Sequence, residues 1–130
     1  MQEMVCGVAE LLIGISNETR GLPMLVVGLG GVLVELSDDR VSRICPVSDA
    51  EAQNMLKSLR AFPVLSGYRG RPPADVAAAA RAIAAMSRFA VDASDWLAEA
   101  EINPLVVLAD GRGVSAVDAL IVVREIDAST

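Results

Sequence analysis

The chain has 130 residues, of which 17 are acidic and 11 are basic, and it contains no histidine. This length suits one domain with a substantial core, and because only 3% of the residues are aromatic, aliphatic side chains must form most of that core. The net charge of −6 argues against nucleic acid as a partner. Without imidazole, the chain lacks the commonest general base and the commonest transition-metal ligand.

The sequence carries no targeting or membrane signal. Its first residues lack a basic region before an apolar stretch, and no apolar run reaches the roughly 18 residues that a membrane span requires. The two cysteines, Cys6 and Cys45, are far apart and show no metal-ligand spacing. We therefore expect a cytoplasmic protein with no membrane partner.

Alternating and apolar runs in the first third of the chain predict an antiparallel meander. The predicted strands cover residues 8–16, 24–27, 32–36 and 40–45. The two middle runs flank a glycine-rich link over residues 28–31, which predicts a hairpin between them. Polar turn residues separate the other strands.

The middle of the chain predicts two helices. Ser48 followed three residues later by Glu51 forms a capping box, and the apolar pattern that begins there ends near residue 62. Asp75 can cap the second helix, an alanine-rich run over residues 76–91. Because strands precede and follow these helices, we expect residues 1–130 to form one α+β domain, a mostly antiparallel sheet with two main helices packed on it.

Two loops offer groups that could bind anions. Gly28, Gly30 and Gly31 lack the Cβ that would keep phosphate oxygens away from the backbone N–H groups, but a structural hairpin turn explains the same glycines. Arg69 and Arg71 lie in a loop rich in glycine and proline and suit a small anion. A solvated loop between helices explains these two arginines equally well.

The end of the chain predicts a hairpin that carries a metal site. Asp110 and Gly111 lie between two apolar runs, which is a strong signal for a two-residue turn. Counting outward from that turn puts Asn103 opposite Asp118, and opposed residues have Cβ atoms roughly 4.5–5.5 Å apart. Glu101 projects from the same face. These oxygens suit Mg²⁺, which favours a few protein oxygens plus phosphate and water; the alternative is the wet face of an edge hairpin.

Six short segments, taken in order, resemble one protein family. They are Gln2-Glu3-Met4, residues 7–14, Gly28-Leu29-Gly30-Gly31-Val32, residues 67–73, Glu101-Ile102-Asn103-Pro104-Leu105 and Val117-Asp118-Ala119. The set resembles the C-terminal half of the ATP-grasp domain in NDP-forming acyl-CoA synthetases. This group comprises the ADP-forming acetate–CoA ligases, relatives of the succinyl-CoA synthetase β subunit. The family's usual Asp-Pro-x-Phe-Gly-Pro turn lacks its Asp and Phe in the matching residues 17–23.

The resemblance implies roles for particular residues. Asn103 and Asp118 would hold the Mg²⁺ that bridges the nucleotide phosphates. Glu101 would be catalytic, where the phosphohistidine loop approaches. In the ATP or ADP site a hinge would bind adenine through its backbone, a glutamate would reach the ribose, and glycines would turn near the phosphates. These nucleotide-binding residues are Gln2, Glu3, Met4, Glu10, Gly28, Gly30 and Gly31.

The resemblance also implies an activity. Such enzymes interconvert acid, CoA and ATP with acyl-CoA, ADP and phosphate, through an acyl phosphate and a phosphohistidine. CoA would bind as a substrate on another domain, and the partners would be CoA-binding and phosphohistidine domains of the same polypeptide or of a partner subunit, with a homo-oligomer left open. Because the chain begins at the hinge, we expect a piece of a longer polypeptide that is inactive alone. The alternative is a non-catalytic, synthetase-like sensor module of a protein acetyltransferase.

Overall fold

A computed structural model describes residues 7–18, 22–29, 39–67, 70 and 72–124. In this part of the chain six strands form one sheet and three helices accompany it. The strands are β1 (Ala9–Ser16), β2 (Met24–Leu29), β3 (Arg40–Ile44), β4 (Leu97–Val107), β5 (Val114–Ala116) and β6 (Ala119–Val123). The helices are α1 (Asp49–Ser58), α2 (Phe62–Leu65) and α3 (Val76–Asp92). The α+β class and the mostly antiparallel sheet are as predicted.

The sheet has the order β3-β2-β1-β4-β5, and β6 also pairs with β4. Every named pairing is antiparallel. Against β4, strand β5 pairs Leu105 with Ala116 and β6 pairs Ile102 with Ala119, so these pairs share one register along the same edge. The register of β6 shifts once, between Leu97 and Glu99. The long β4 therefore lies between β1 and the two C-terminal strands.

The two faces of the sheet differ in burial. Leu11, Ile13 and Ile15 of β1 are buried in the core together with residues of α1 and α3, such as Met55 and Ile83. The alternate residues of β1 are Leu12, Gly14 and Ser16, and they are half-buried on the opposite face. We call this second face the open face.

Both predicted helix caps are present. The Ser48 hydroxyl oxygen accepts a hydrogen bond from the Glu51 N–H at 3.1 Å, and the Glu51 carboxylate accepts one from the Ser48 N–H at 3.2 Å. The Asp75 carboxylate accepts from the Ala78 N–H at 3.1 Å and caps α3. Buried alanines on α3 let this helix pack closely, mainly against α1. Within the described residues, no helix is long and apolar enough to cross a membrane.

Helix α1 ends at Ser58, earlier than the apolar pattern predicted. The carboxylate of Asp39 accepts hydrogen bonds from the N–H groups of Arg60 at 2.8 Å and of Ala61 at 3.0 Å. These donors cannot continue the helix ladder while they bind a distant carboxylate. The chain then forms the short helix α2, a third helix beyond the two that were predicted.

The predicted hairpin between residues 24–27 and 32–36 is wrong. Strand β2 pairs with β1 along one edge and with β3 along the other, so both of its edges are taken. Gly28 belongs to β2, where it pairs with Leu12 on one side and Arg40 on the other. Residues 30–38 lie outside the described part of the chain.

Candidate functional site

The C-terminal hairpin turns at Asp110 and Gly111, as its sequence predicted. The N–H of Arg112 donates to the carbonyl of Ala109 at 2.8 Å, which closes the turn. Gly111 has φ 83°, a conformation that favours glycine because it has no Cβ. The register of the hairpin from Val107 back to Glu99 follows from this turn.

Asn103 lies directly opposite Asp118. The Asn103 N–H donates to the Asp118 carbonyl at 3.0 Å, and the next pair follows with the Val117 N–H donating to Pro104 at 3.1 Å. Both Asn103 and Asp118 are exposed. The predicted juxtaposition of the two residues is therefore confirmed, and their role as metal ligands stays a prediction.

A β-bulge in β4 sets the direction of the Asn103 side chain. Leu11 of β1 pairs with Leu105, whereas Ile13 pairs with Ile102, so Asn103 and Pro104 together oppose the single residue Leu12. Bulges of this kind re-aim side chains and are common beside active sites. The extra residue returns Leu105 to the core and leaves Asn103 on the open face.

Three cross-strand pairs line up on the open face between β4 and the C-terminal strands. Glu101 pairs with Leu120, Glu99 pairs with Val122, and Asn103 faces Asp118. Successive pairs on one face are two residues apart along each strand, so these side chains form one continuous band. Glu101 is half-buried, and the other two polar residues of β4 in this band are exposed.

A groove of about 460 Å³ crosses the open face beside this band. Its lining comes from four neighbouring strands and from β6. Side chains that point to the open face include Leu12, Val26, Arg40, Ser42, Glu99, Glu101 and Leu120. Gly14 pairs with Glu101, and a Cβ at Gly14 would lie 3.1 Å from Cγ1 of Val26. The absence of a side chain at Gly14 therefore leaves room beside Glu101.

The hairpin that carries the pair is fixed to the start of α3. The Asp75 carboxylate accepts a hydrogen bond from Gly113 at 2.8 Å, and the Asp75 N–H donates to Leu108 at 2.8 Å. Hydrogen bonds from the backbone N–H groups of Ala78 and Gly113 stabilise the ionised form and lower the pKa of the buried Asp75. These contacts hold the hairpin tip in place.

Of the remaining predicted site residues, only Glu10 and Gly28 lie in the described part of the chain. Glu10 is exposed on β1 and pairs with Val106, and Gly28 is buried within β2 rather than in a turn. Glu10, like Leu12, belongs to the open face by the alternation of β1. The others lie outside the described residues: Gln2, Glu3, Met4, Gly30, Gly31, Arg69 and Arg71.

Arg40 is a groove residue that no motif in the sequence singled out. It lines the groove with Ser42 from the edge strand β3. The signal was present in the sequence, because the alternation over residues 40–45 already put Arg40 and Ser42 on one face. What the sequence could not give was the pairing of β3 with β2, which brings that face to the groove.

The donor set at Asn103 and Asp118 fits Mg²⁺ that is shared with a substrate. Within the described residues, no three His, Cys, Asp or Glu side chains gather as they would around a metal held by protein alone. An amide oxygen and a carboxylate on an accessible face leave most coordination positions for phosphate and water, which is the arrangement that Mg²⁺ favours. Such an ion would neutralise phosphate charge.

A family model described as an ATP-grasp domain matches residues 1–123. The chain belongs to the ATP-grasp family. Among solved structures, this ATP-grasp chain is similar to the dinucleotide-forming acetyl-coenzyme A synthetase 1 of Ca. Korarchaeum cryptofilum, solved with coenzyme A and Mg-AMPPCP. The TM-score is 0.83 and the identity 35%, and the match covers 93% of this chain and 55% of that one.

Two sequence relatives agree with this assignment. The β subunit of the ADP-forming acetate–CoA ligase II of Pyrococcus furiosus is 33% identical over 115 residues, which cover 88% of this chain and 49% of that subunit. The ADP-forming 4-hydroxybutyrate–CoA ligase of Nitrosopumilus maritimus is 34% identical over 119 residues, which cover 92% of this chain and 17% of that enzyme. The chain thus spans about half of one relative and about a sixth of the other.

Proposed function

We propose that this chain is the C-terminal part of the ATP-grasp domain of an ADP-forming acid–CoA ligase, and that its open face binds Mg·ATP or Mg·ADP. The observation that carries the proposal is the position of Asn103 directly opposite Asp118, with Glu101 on the same face. Relatives named as ADP-forming ligases, and a similar structure that holds Mg-AMPPCP, support it.

In this proposal the side chains of Asn103 and Asp118 would hold the Mg²⁺ through an amide oxygen and a carboxylate oxygen, and the ion would supply positive charge to the nucleotide phosphates. Catalysis of phosphoryl transfer is mainly positioning and electrostatic stabilisation, so two rigidly placed ligands on one hairpin suit this task. The bulge at Asn103 and the Asp75 contacts at the hairpin tip support that rigidity. The exposure of both ligands leaves them accessible to a nucleotide.

Glu101 would lie at the place where the phosphoryl group passes between the nucleotide and the phosphohistidine of another domain. Its carboxylate is half-buried at the edge of the groove, one cross-strand pair away from Asn103. The Korarchaeum structure is described with its phosphohistidine segment pointing towards the nucleotide-binding site. A carboxylate beside such a segment can accept a hydrogen bond from the imidazole and fix its orientation. The partners of this chain would accordingly be phosphohistidine and CoA-binding domains.

The acid that is activated is set elsewhere in such enzymes. Two relatives of similar sequence identity to this chain are named as ligases of different acids, acetate and 4-hydroxybutyrate. Sequence identity in this region therefore does not indicate which acid is activated. CoA and the acid would bind on other domains, and the isolated chain would therefore bind nucleotide weakly and turn nothing over. The relatives named above are ligases, and the sensor alternative gains no support from them.

Calorimetry of nucleotide binding tests this proposal. We expect the chain to bind ADP with Mg²⁺ present and to lose most of that binding when EDTA removes the metal, because Asp118 and Glu101 repel an unneutralised phosphate. Asp118→Asn should weaken Mg·ADP binding, whereas Asp110→Asn, the same change at the exposed turn of the same hairpin, should not. Binding that ignores both the metal and Asp118 would contradict the proposal.

A further inference from the structure

We propose that Arg40 is a phosphate-binding residue of this nucleotide site, on the same open face and in the same cross-strand row as the metal ligands. The proposal rests on the proposed function, because it adds a second cationic group to the same open face. The ligand it would bind is a terminal phosphate group with ionised oxygens. Arginine suits such a group because its planar fork can donate two parallel hydrogen bonds.

The register of the sheet puts Arg40 in one row with the metal ligands. Arg40 pairs with Gly28, Gly28 pairs with Leu12, and Leu12 faces the bulge at Asn103. Asn103 in turn faces Asp118. The row therefore crosses the sheet from a guanidinium at one edge to the candidate Mg²⁺ ligands at the other.

The spacing across this row suits a phosphate between the two ends. Neighbouring strands lie about 4.8 Å apart, so the backbones of Arg40 and Asn103, three spacings apart, are separated by roughly 14 Å. The long stem of Arg40 covers part of this distance from one side. The amide of Asn103 and its metal ion would cover part from the other. A phosphate group in the middle would contact both cations.

Gly28 fixes the course of the Arg40 stem. A Cβ at Gly28 would lie 3.3 Å from Cγ of Arg40 and 3.2 Å from the carbonyl oxygen of Asp39. The Arg40 stem thus packs over the space that a side chain at residue 28 would fill. This packing directs the arginine across β2 and towards the groove, which Arg40 lines together with Leu12 and Val26.

The charges that line the groove favour a phosphate ligand for Arg40. Among its lining residues in the described part of the chain, Arg40 alone is cationic, while Glu99 and Glu101 are acidic. A polyphosphate approaching two carboxylates needs positive charge in addition to one metal ion. Arg40 supplies that charge from the edge strand β3, on the other side of the sheet from Asp118.

The phosphate at Arg40 could belong to the nucleotide or to a phosphorylated imidazole, and binding measurements on Arg40→Met distinguish these two sources. If Arg40 contacts the terminal phosphate of the nucleotide, Mg·ATP should bind about tenfold or more weakly, the loss of one charge-assisted hydrogen bond or more, while Mg·ADP should change less. If it contacts a phosphoryl group carried by an imidazole, Mg·ATP and Mg·ADP affinities should persist. In that case the binding of phosphoimidazole in the presence of Mg·ADP should fall by a similar factor.

Arg43→Met is the matched control, because Arg43 is an exposed arginine on the same strand with the opposite alternation, and its guanidinium donates to the Ser42 carbonyl at 2.7 Å. Arg40→Lys should keep part of the binding, since it retains the charge and loses the fork. Thermal unfolding checks that each variant is folded. If Arg40→Met kept its affinity for Mg·ATP, Mg·ADP and phosphoimidazole, the role of Arg40 would be overturned and the proposed function would stand. If the wild-type protein bound none of these three probes, both the role of Arg40 and the proposed function would be overturned.

Discussion

The carboxylate of Asp75 accepts a hydrogen bond from the N–H of Gly113 at 2.8 Å and so joins the start of α3 to the C-terminal hairpin. The other carboxylate oxygen caps α3 by accepting from Ala78 at 3.1 Å. One buried side chain therefore stabilises both the helix and the hairpin on which Asn103 and Asp118 lie. Replacing it should affect stability more than most single changes on this fold.

Asp75→Asn should lower the free energy of unfolding by about 1–3 kcal/mol at pH 7. The NH₂ group of asparagine would replace one of the two accepting oxygens, so a backbone N–H group would face another donor. The pKa of Asp75 is lowered in the folded chain, so its contribution is complete above the ordinary carboxyl pKa of about 3.9 and is lost as the pH falls through the lowered value. The difference between wild type and variant should shrink accordingly in acid. Urea unfolding at several pH values measures it.

Asp49→Asn is the control for this experiment, since Asp49 is an exposed carboxylate in the first turn of α1. We expect it to change stability by only a few tenths of a kcal/mol, the size of an exposed helix-dipole interaction. If the Asp49 and Asp75 variants were equally stable at pH 7, the hydrogen bonds of Asp75 would not stabilise the fold as predicted.

The side-chain amide of Asn17 joins the end of β1 to the start of β4. Its Nδ2 group donates to the carbonyls of Ser94 and Leu97, both at 2.8 Å, and the side chain is fully buried. Asn17→Asp would put a carboxylate against these two carbonyl oxygens. We expect the free energy of unfolding to fall by about 3 kcal/mol or more at neutral pH, because two buried hydrogen bonds are broken and a charge is left unpaired. Urea unfolding against Glu18→Gln, an exposed neighbour, would measure this loss; equal stabilities would contradict it.

Cys45 should be an unreactive thiol in the folded chain. Burial raises its pKa to about 11, which keeps the thiol protonated at neutral pH. In a Cys6→Ser variant, which leaves Cys45 as the only thiol, alkylation at pH 8 should be about a hundredfold slower or more in native buffer than in denaturant. Because the unfolded thiol ionises first, stability should fall as the pH rises past the ordinary thiol value. Equal alkylation rates in the two conditions would show that the thiol is accessible.

Local signals in the sequence were sufficient for the helices and for the C-terminal hairpin. The capping box at Ser48 and the cap at Asp75 act within one turn of a helix, and both form as predicted. The turn at Asp110 and Gly111 fixes the register of the strands beside it, so the facing of Asn103 and Asp118 followed by counting. These features depend on residues close together in the sequence.

Features that depend on distant residues were not predictable in the same way. Asp39 ends α1 by binding the N–H groups of Arg60 and Ala61, and no local pattern around those residues signals it. The pairing of β2 with β3 likewise joins two segments that no local signal links to each other. The bulge that re-aims Asn103 arises between β1 and β4, which are separated by the whole helical region.

In the proposed function, Asn103 and Asp118 hold the divalent metal of a bound nucleotide. Mn²⁺ binds similar oxygen ligands and broadens nearby NMR signals, so titrating Mn·ADP into ¹⁵N-labelled protein locates the metal even when binding is weak. We predict that the signals of Asn103, its side-chain amide, Asp118 and Ala119 broaden first in the wild type and in Asp110→Asn, and do not do so in Asp118→Asn. Broadening that spreads evenly over the acidic surface, or that persists at Asn103 in Asp118→Asn, would contradict the claim.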